Sequence, residues 1–225
     1  AERAELILLR LETWQQNDIR PTKISYATVM NAWARVGSTE AAEHAETLLD
    51  RMLKEKRVKP DTVVFNAVIN AWATSKDPQA GKRAMALLKQ MIKLAEEGYD
   101  SNPDIVSYNT VLSAWAHSGD ENAAPRCEKL VQEMHNTAKE NIGAPLPNTV
   151  TYNNILHAWC KSQLPGAAPR AQKVLDFMLK SNSFSPDVFS FASVLDAWAK
   201  SKEPNKSSRC RNLLDRMIKM YQETG

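Results

Sequence analysis

Five tryptophans stand in register along this chain, and that register limits its fold more tightly than any other feature. Five segments align without a gap: PTKISYATVMNAWAR from Pro21, PDTVVFNAVINAWAT from Pro60, PDIVSYNTVLSAWAH from Pro103, PNTVTYNNILHAWCK from Pro147 and PDVFSFASVLDAWAK from Pro186. Each carries an aromatic residue five positions after its proline (Tyr26, Phe65, Tyr108, Tyr152, Phe191) and a tryptophan seven positions further on (Trp33, Trp72, Trp115, Trp159, Trp198). The prolines are 39, 43, 44 and 39 residues apart. A self-similar period in this range marks a solenoid, a propeller or an array, whose units bury their apolar faces only by stacking on one another.

The periodicity inside a unit decides between strand and helix. A stretch such as TVVFNAVI is β-branched enough for a strand. However, Val64, Phe65, Val68, Ile69 and Trp72 follow an i, i+1, i+4, i+5, i+8 pattern, which forms one helical stripe and no alternation. Asp61, Asp104, Asn148 and Asp187, and Thr22 in the first unit, follow their prolines at natural N-cap positions. Each segment therefore opens a helix of roughly 14 residues. A second amphipathic helix follows, as in AAEHAETLLDRMLKE or APRAQKVLDFMLKS, with Leu, Met and Ile at three- and four-residue steps. Short stretches such as VGST, SKDPQAG and SQLPGAAP separate the two.

These patterns predict about eleven helices in an all-α solenoid of antiparallel helix pairs. The expected organisation is a single array over 1–225. In it, 1–20 is the second helix of a preceding repeat, with its apolar pattern running through residue 17, and the repeats span 21–59, 60–102, 103–146, 147–185 and 186–225. The chain thus reads as entered midway through a repeat and as part of something longer.

Seven glycines do not suit a protein built around phosphate-cradling loops, and no Ser/His/Asp set or paired-carboxylate motif stands out, so the chain reads as a non-enzyme. Cys127, Cys160 and Cys210 form no CxxC, an odd count that suits a reducing compartment, and the four histidines have no ligand spacing with them. No cofactor or metal is implied. No apolar run approaches the roughly 18 residues of a membrane span, and the opening AERAELILLRLETW is no signal peptide.

The opening helix, Pro-Asp-x-Val-x-Tyr-Asn-x-Val/Ile-Leu/Ile-x-Ala-Trp-Ala, followed by a second helix with Leu-Leu-x-x-Met, resembles the pentatricopeptide repeat family over essentially the whole chain. The repeats here are longer than the family's, with the excess in the inter-helix loop and the end of the second helix. The resemblance implies a right-handed superhelix that binds single-stranded RNA along its concave face, one base per repeat. It also implies a mitochondrial or plastid location, a role in RNA processing, stability or translation, and other organellar RNA-processing proteins as further partners. A monomer is expected.

One stripe of the opening helix suits a nucleotide. Two residues before the aromatic stand Ile24, Val63, Val106, Val150 and Phe189; three further on stand Ala27, Asn66, Asn109, Asn153 and Ala192. The next stations are Asn31, Asn70, Ser113, His157 and Asp196, then Arg35, Thr74, His117, Lys161 and Lys200. Steps of 3, 7 and 11 residues return to within roughly 60° on a helix of 3.6 residues per turn. The apolar residues can sandwich a base, the asparagines offer a donor and an acceptor to its edge, and Arg35, Lys161 and Lys200 can meet phosphates. Net charge is only +3, so a basic surface must come from placement; Asp196 is the one acid in the five opening helices.

By resemblance, the base is chosen by the residue after the aromatic together with the residue after the next repeat's proline. That gives Asn66 with Asp104 for U, Asn109 with Asn148 for C or U, and Asn153 with Asp187 for U, a 5′-U-C/U-U-3′ core. Ala27 with Asp61 reads weakly, and Ala192 has no following proline in the sequence. Structural readings stand beside these. The Asp and Asn residues after proline are also plain N-caps. The tryptophans and the recurrent methionines (Met52, Met91, Met134, Met178, Met217) read as core, and the Lys and Arg residues of the second helices as a solvated face. Asn66, Asn109 and Asn153 have the least structural reason to stand mid-helix. A protein-interaction solenoid of the tetratricopeptide type is the alternative function.

Overall fold

The computed structural model describes residues 1–13, 20–55 and 58–224. Among them it contains eleven helices and no strand: α1 (Glu2–Thr13), α2 (Lys23–Ala34), α3 (Thr39–Glu55), α4 (Thr62–Thr74), α5 (Ala80–Glu96), α6 (Ile105–His117), α7 (Ala123–Glu140), α8 (Thr149–Lys161), α9 (Ala167–Lys180), α10 (Val188–Lys200) and α11 (Lys206–Thr224). The end of the expected first helix, residues 14–17, lies outside the described residues. The chain forms two compact units, Ala1–Asp120 and Glu121–Gly225, divided in the loop between α6 and α7.

Within the first unit the opening helices α2, α4 and α6 pack side by side, and α3 and α5 each bridge their own opening helix and the next. The second unit repeats this arrangement: α8 packs on α10, α7 on α8, and α9 on both α8 and α10. The opening helices are shorter than expected, 12 residues in α2 and 13 in the other four. A serine ends several of them. The Oγ of Ser75, Ser118 and Ser201 donates to the carbonyl of Trp72, Trp115 and Trp198 at 2.8–2.9 Å, satisfying a last-turn acceptor that another helical turn would have used.

All five repeat tryptophans are buried, as are Tyr26, Phe65, Tyr108, Tyr152 and Phe191. Several of the indoles are also latched. The indole N–H of Trp33 donates to Glu5, that of Trp72 to Glu46 and that of Trp159 to Glu128 at 2.8–2.9 Å, and that of Trp198 to Gln172 at 3.2 Å. Each acceptor lies on the second helix of the preceding repeat. A cationic or aromatic residue from the tryptophan's own repeat closes the latch. His44 stacks on Trp33 with ring centroids 4.3 Å apart, Arg83 lies over Trp72 while pairing with Glu46 at 3.6 Å, Arg170 pairs with Glu128 at 3.8 Å, and Arg209 lies over Trp198. Arg83 and Arg170 are more than half exposed, as expected of a solvated face, but the Arg83 and Arg209 guanidinium groups also lie over a buried tryptophan, and those of Arg83 and Arg170 meet a carboxylate of the preceding repeat.

Small residues make room for the indoles. A Cβ on Gly81 would lie 2.3 Å from the Trp115 ring, so only glycine fits that approach of α5 to α6. The equivalent positions are the buried Ala42, Ala124 and Ala168. The cysteines have the same structural explanation: Cys127 and Cys210 stand where other repeats have Ala45, Ala84 and Ala171, and Cys160 stands where others have Ala34, Ala73, Ala116 and Ala199. Burial raises the Cys160 thiol to about 11 and Cys127 higher still, so both remain protonated.

Candidate nucleic-acid interface

The N-termini of the opening helices set the site. Thr22, Asp61, Asp104, Asn148 and Asp187 are all N-caps in extended backbone, each accepting from the N–H three residues on. In α2, α6, α8 and α10 the third helical residue, Ser25, Ser107, Thr151 or Ser190, returns the bond to the cap's own N–H, completing a capping box.

Two of the three asparagine pairs lie within a single unit, and there the cap is joined to the preceding repeat. Asn66 Nδ2 donates to Asp104 Oδ1 at 3.2 Å, and Asn66 Oδ1 accepts from the Ser107 hydroxyl at 2.7 Å. The second unit reproduces this bracket. Asn153 Nδ2 donates to both oxygens of Asp187, at 3.2 and 3.0 Å, and Asn153 Oδ1 accepts from the Ser190 hydroxyl at 2.6 Å. Both asparagines therefore have a clear structural reason to stand mid-helix, contrary to the expectation above. Burial works to raise the Asp104 carboxyl, but hydrogen bonds from the Ser107 N–H and hydroxyl and from Asn66 outweigh it and hold the group below the usual carboxylate value.

At the first junction Ala27 is buried and has no amide, and Lys23 reaches Asp61 instead, 3.1 Å from Oδ2. Sequence reasoning did not single out Lys23. Its signal was a cation three residues before the aromatic, one helical turn from the alanine that stands in place of asparagine. Ala192 is exposed on α10.

The apolar stations are exposed in each unit: Ile24 is 77% exposed, Val63 61% and Val106 54% in the first, and Val150 53% and Phe189 49% in the second. His157 and Phe189 have ring centroids 6.0 Å apart. At the far end of the helices Arg35 and Lys161 are exposed. Lys200 is exposed too, but its ammonium is 2.6 Å from Asp196, which offsets its charge and raises its pKa. Cys160 Sγ donates to the same carboxylate at 2.9 Å. Cys160, Lys161 and Lys200 line a cavity of about 720 Å³ together with the α8–α9 loop. No group of residues able to hold a metal occurs among the described residues, and no described helix is long and apolar enough to cross a membrane.

Comparison with known proteins decides the family. The sequence model of the pentatricopeptide repeat domain matches residues 10–74 and 97–162, more than half of the chain. The chain belongs to the pentatricopeptide repeat family. Among solved structures, pentatricopeptide repeat protein PPR10 in complex with an 18-nt psaJ RNA element superposes with a TM-score of 0.61 at 20% identity, over 95% of this chain and 27% of that one. The pentatricopeptide repeat domain of Arabidopsis thaliana protein-only RNase P 1, in complex with tRNA, superposes with a TM-score of 0.56 at 18% identity, over 86% of this chain and 95% of that one. The chain thus spans about a quarter of PPR10. A sequence comparison with curated proteins gives no significant match. Within the pentatricopeptide repeat fold, all five opening helices here carry an N-cap at the position after proline, and the two asparagine brackets tie α4 to the cap of α6 and α8 to the cap of α10.

Proposed function

We propose that this pentatricopeptide repeat chain binds single-stranded RNA along its opening helices, one base per repeat, and that it binds without catalysing. Asn66 with Asp104 and Asn153 with Asp187 each read a U, and Asn109 with Asn148 reads C or U. Val63, Val106, Val150 and Phe189 flank the bases, while Arg35 and Lys161 meet the backbone. The observation that carries the reading is the recurrence, in each unit, of one amide–carboxylate bracket on helices that expose apolar residues. Buried polar groups at that position need only structural partners; exposed valines and a phenylalanine there need a further reason, and a stacked base supplies one. The RNA held by PPR10 and the tRNA held by the protein-only RNase P 1 domain support the choice of ligand. A mitochondrial or plastid role in RNA processing, stability or translation follows from the family.

Fluorescence anisotropy with labelled single-stranded RNAs bearing UCU, UUU or AGA centres tests the proposal. Tighter binding of the pyrimidine centres is expected. Equal binding of all three would keep RNA as ligand and reject base reading. No binding at low salt would favour a protein partner on the same exposed apolar residues.

A further inference from the structure

Where the preceding repeat in the sequence carries the asparagine, the third residue of the next opening helix carries a hydroxyl. At the first junction Ala27, without an amide, is followed by Val64, without a hydroxyl. At the other three, Asn66 is followed by Ser107, Asn109 by Thr151 and Asn153 by Ser190. A capping box alone does not explain this pattern, because Asp61 caps α4 with Val64 in place.

The geometry supplies the reason. The Asn66 amide could in principle sit in either of two orientations related by a half-turn. With Nδ2 toward Asp104 the amide donates to a carboxylate, and its Oδ1 then faces the Ser107 hydroxyl at 2.7 Å. Flipped, Oδ1 would oppose the carboxylate oxygen, two acceptors with no proton between them. The hydroxyl oxygen accepts from the Asp104 N–H at 3.1 Å, and its one proton faces two acceptors, Asn66 Oδ1 at 2.7 Å and Asp104 Oδ1 at 2.9 Å, of which the amide oxygen is the nearer. Ser190 stands in the same relation to Asn153 and Asp187.

We infer that Ser107 and Ser190 are positioning residues for base choice: their hydroxyls act with the Asp104 and Asp187 carboxylates to hold the orientation of the Asn66 and Asn153 amides, and so fix which amide edge faces outward as donor and which as acceptor. The inference rests on the RNA reading above and adds a third member to each reading pair. The hydroxyl itself does not touch the base. It makes the amide present one pattern instead of two, and a base edge is distinguished by that pattern. Thr151 at the third junction carries the same hydroxyl, so threonine is an acceptable replacement.

The test compares binding of RNAs that differ only in the nucleotide facing the second repeat, for the parent chain, Ser107→Ala, Ser107→Thr, Asn66→Ala and the Asn66→Ala/Ser107→Ala double variant. Loss of one oriented hydrogen bond is expected to reduce the preference for U over A about tenfold in Ser107→Ala. Ser107→Thr should restore it. Ser107→Ala should change nothing further once Asn66 is alanine, because the hydroxyl acts through the amide. Thermal melts of each variant read the helix cap separately. Uniform weakening for all four bases with the preference retained would make Ser107 a cap only and overturn the inference. A further loss of preference in the double variant would overturn it as well. Absence of any preference in the parent chain would instead overturn the base-reading proposal on which it rests.

Discussion

Asp104 serves two structures at once, and its titration exposes both. Its carboxylate caps α6 through the Ser107 N–H at 2.8 Å and accepts the Asn66 amide from the repeat before. Because its folded pKa lies below the ordinary value of 3.8, its contribution is complete above that value and is lost as the pH falls through the lower folded one. Asp104→Ala is expected to cost about 1 kcal/mol or somewhat more at neutral pH. In urea titrations that difference should narrow as the pH drops below 4, while a gap that stayed constant would mean the charge is not what holds the bracket. The caps were legible in the sequence, since Asp or Asn after proline fixes both a backbone turn and an acceptor. The resemblance paired Asn66 with Asp104 and Asn153 with Asp187 as base readers, but the hydrogen bonds that join them were not legible. A helical wheel places Asn66 on its own helix but says nothing of a carboxylate 38 residues on. The same limit hid Lys23, whose partner Asp61 also lies in the next repeat.

At the scale of the element, stacking depends on how the indole N–H groups of Trp33, Trp72, Trp159 and Trp198 are satisfied inside the core. Periodicity alone showed that the tryptophans are buried, because they share a stripe with the aromatic five residues after each proline. It could not show the acceptors, because Glu46 and Glu128 look like ordinary surface acids of an amphipathic second helix. Gln172 accepting from Trp198 shows that a neutral amide suffices. Burial raises the Glu46 pKa despite Arg83 and the Trp72 hydrogen bond, so its charged form is disfavoured in the fold and stability declines as the pH rises from the ordinary 4.5 through the higher folded value. Glu46→Gln is therefore expected to match or slightly exceed the parent at neutral pH. Glu46→Leu strands the Trp72 donor and should cost about 1–3 kcal/mol. Paired urea midpoints check this; equal losses in both variants would show that the Arg83 ion pair, not the indole hydrogen bond, secures the junction.

Across the whole molecule, 29 basic residues against 26 acids leave little bulk attraction for a polyanion, so salt dependence reports which cations are placed to meet one. Most second-helix arginines named here are committed: Arg83 to Glu46 and Trp72, Arg170 to Glu128, and Arg216 to Asp176 at 2.7 Å. Of the three cations at the far ends of the opening helices, Lys200 is held by Asp196, whereas Arg35 and Lys161 form no ion pair among the described residues. Two phosphate contacts on a single strand give a slope of about −1.4 in log K against log salt, roughly a sevenfold loss of affinity between 50 and 200 mM. Asp196→Asn removes the countercharge on an exposed stretch of α10 and leaves a neutral acceptor for Cys160. It should release Lys200 as a third contact, steepening the slope to about −2.1 and the loss to roughly eighteenfold. Base preference should be unchanged, because Asp196 lies two helical turns beyond the Asp187 cap. A slope that stays at the parent value would mean that Lys200 does not face the RNA backbone. A parent slope much steeper than −1.4 would mean that second-helix lysines reach the strand as well, moving the contact surface off the opening helices.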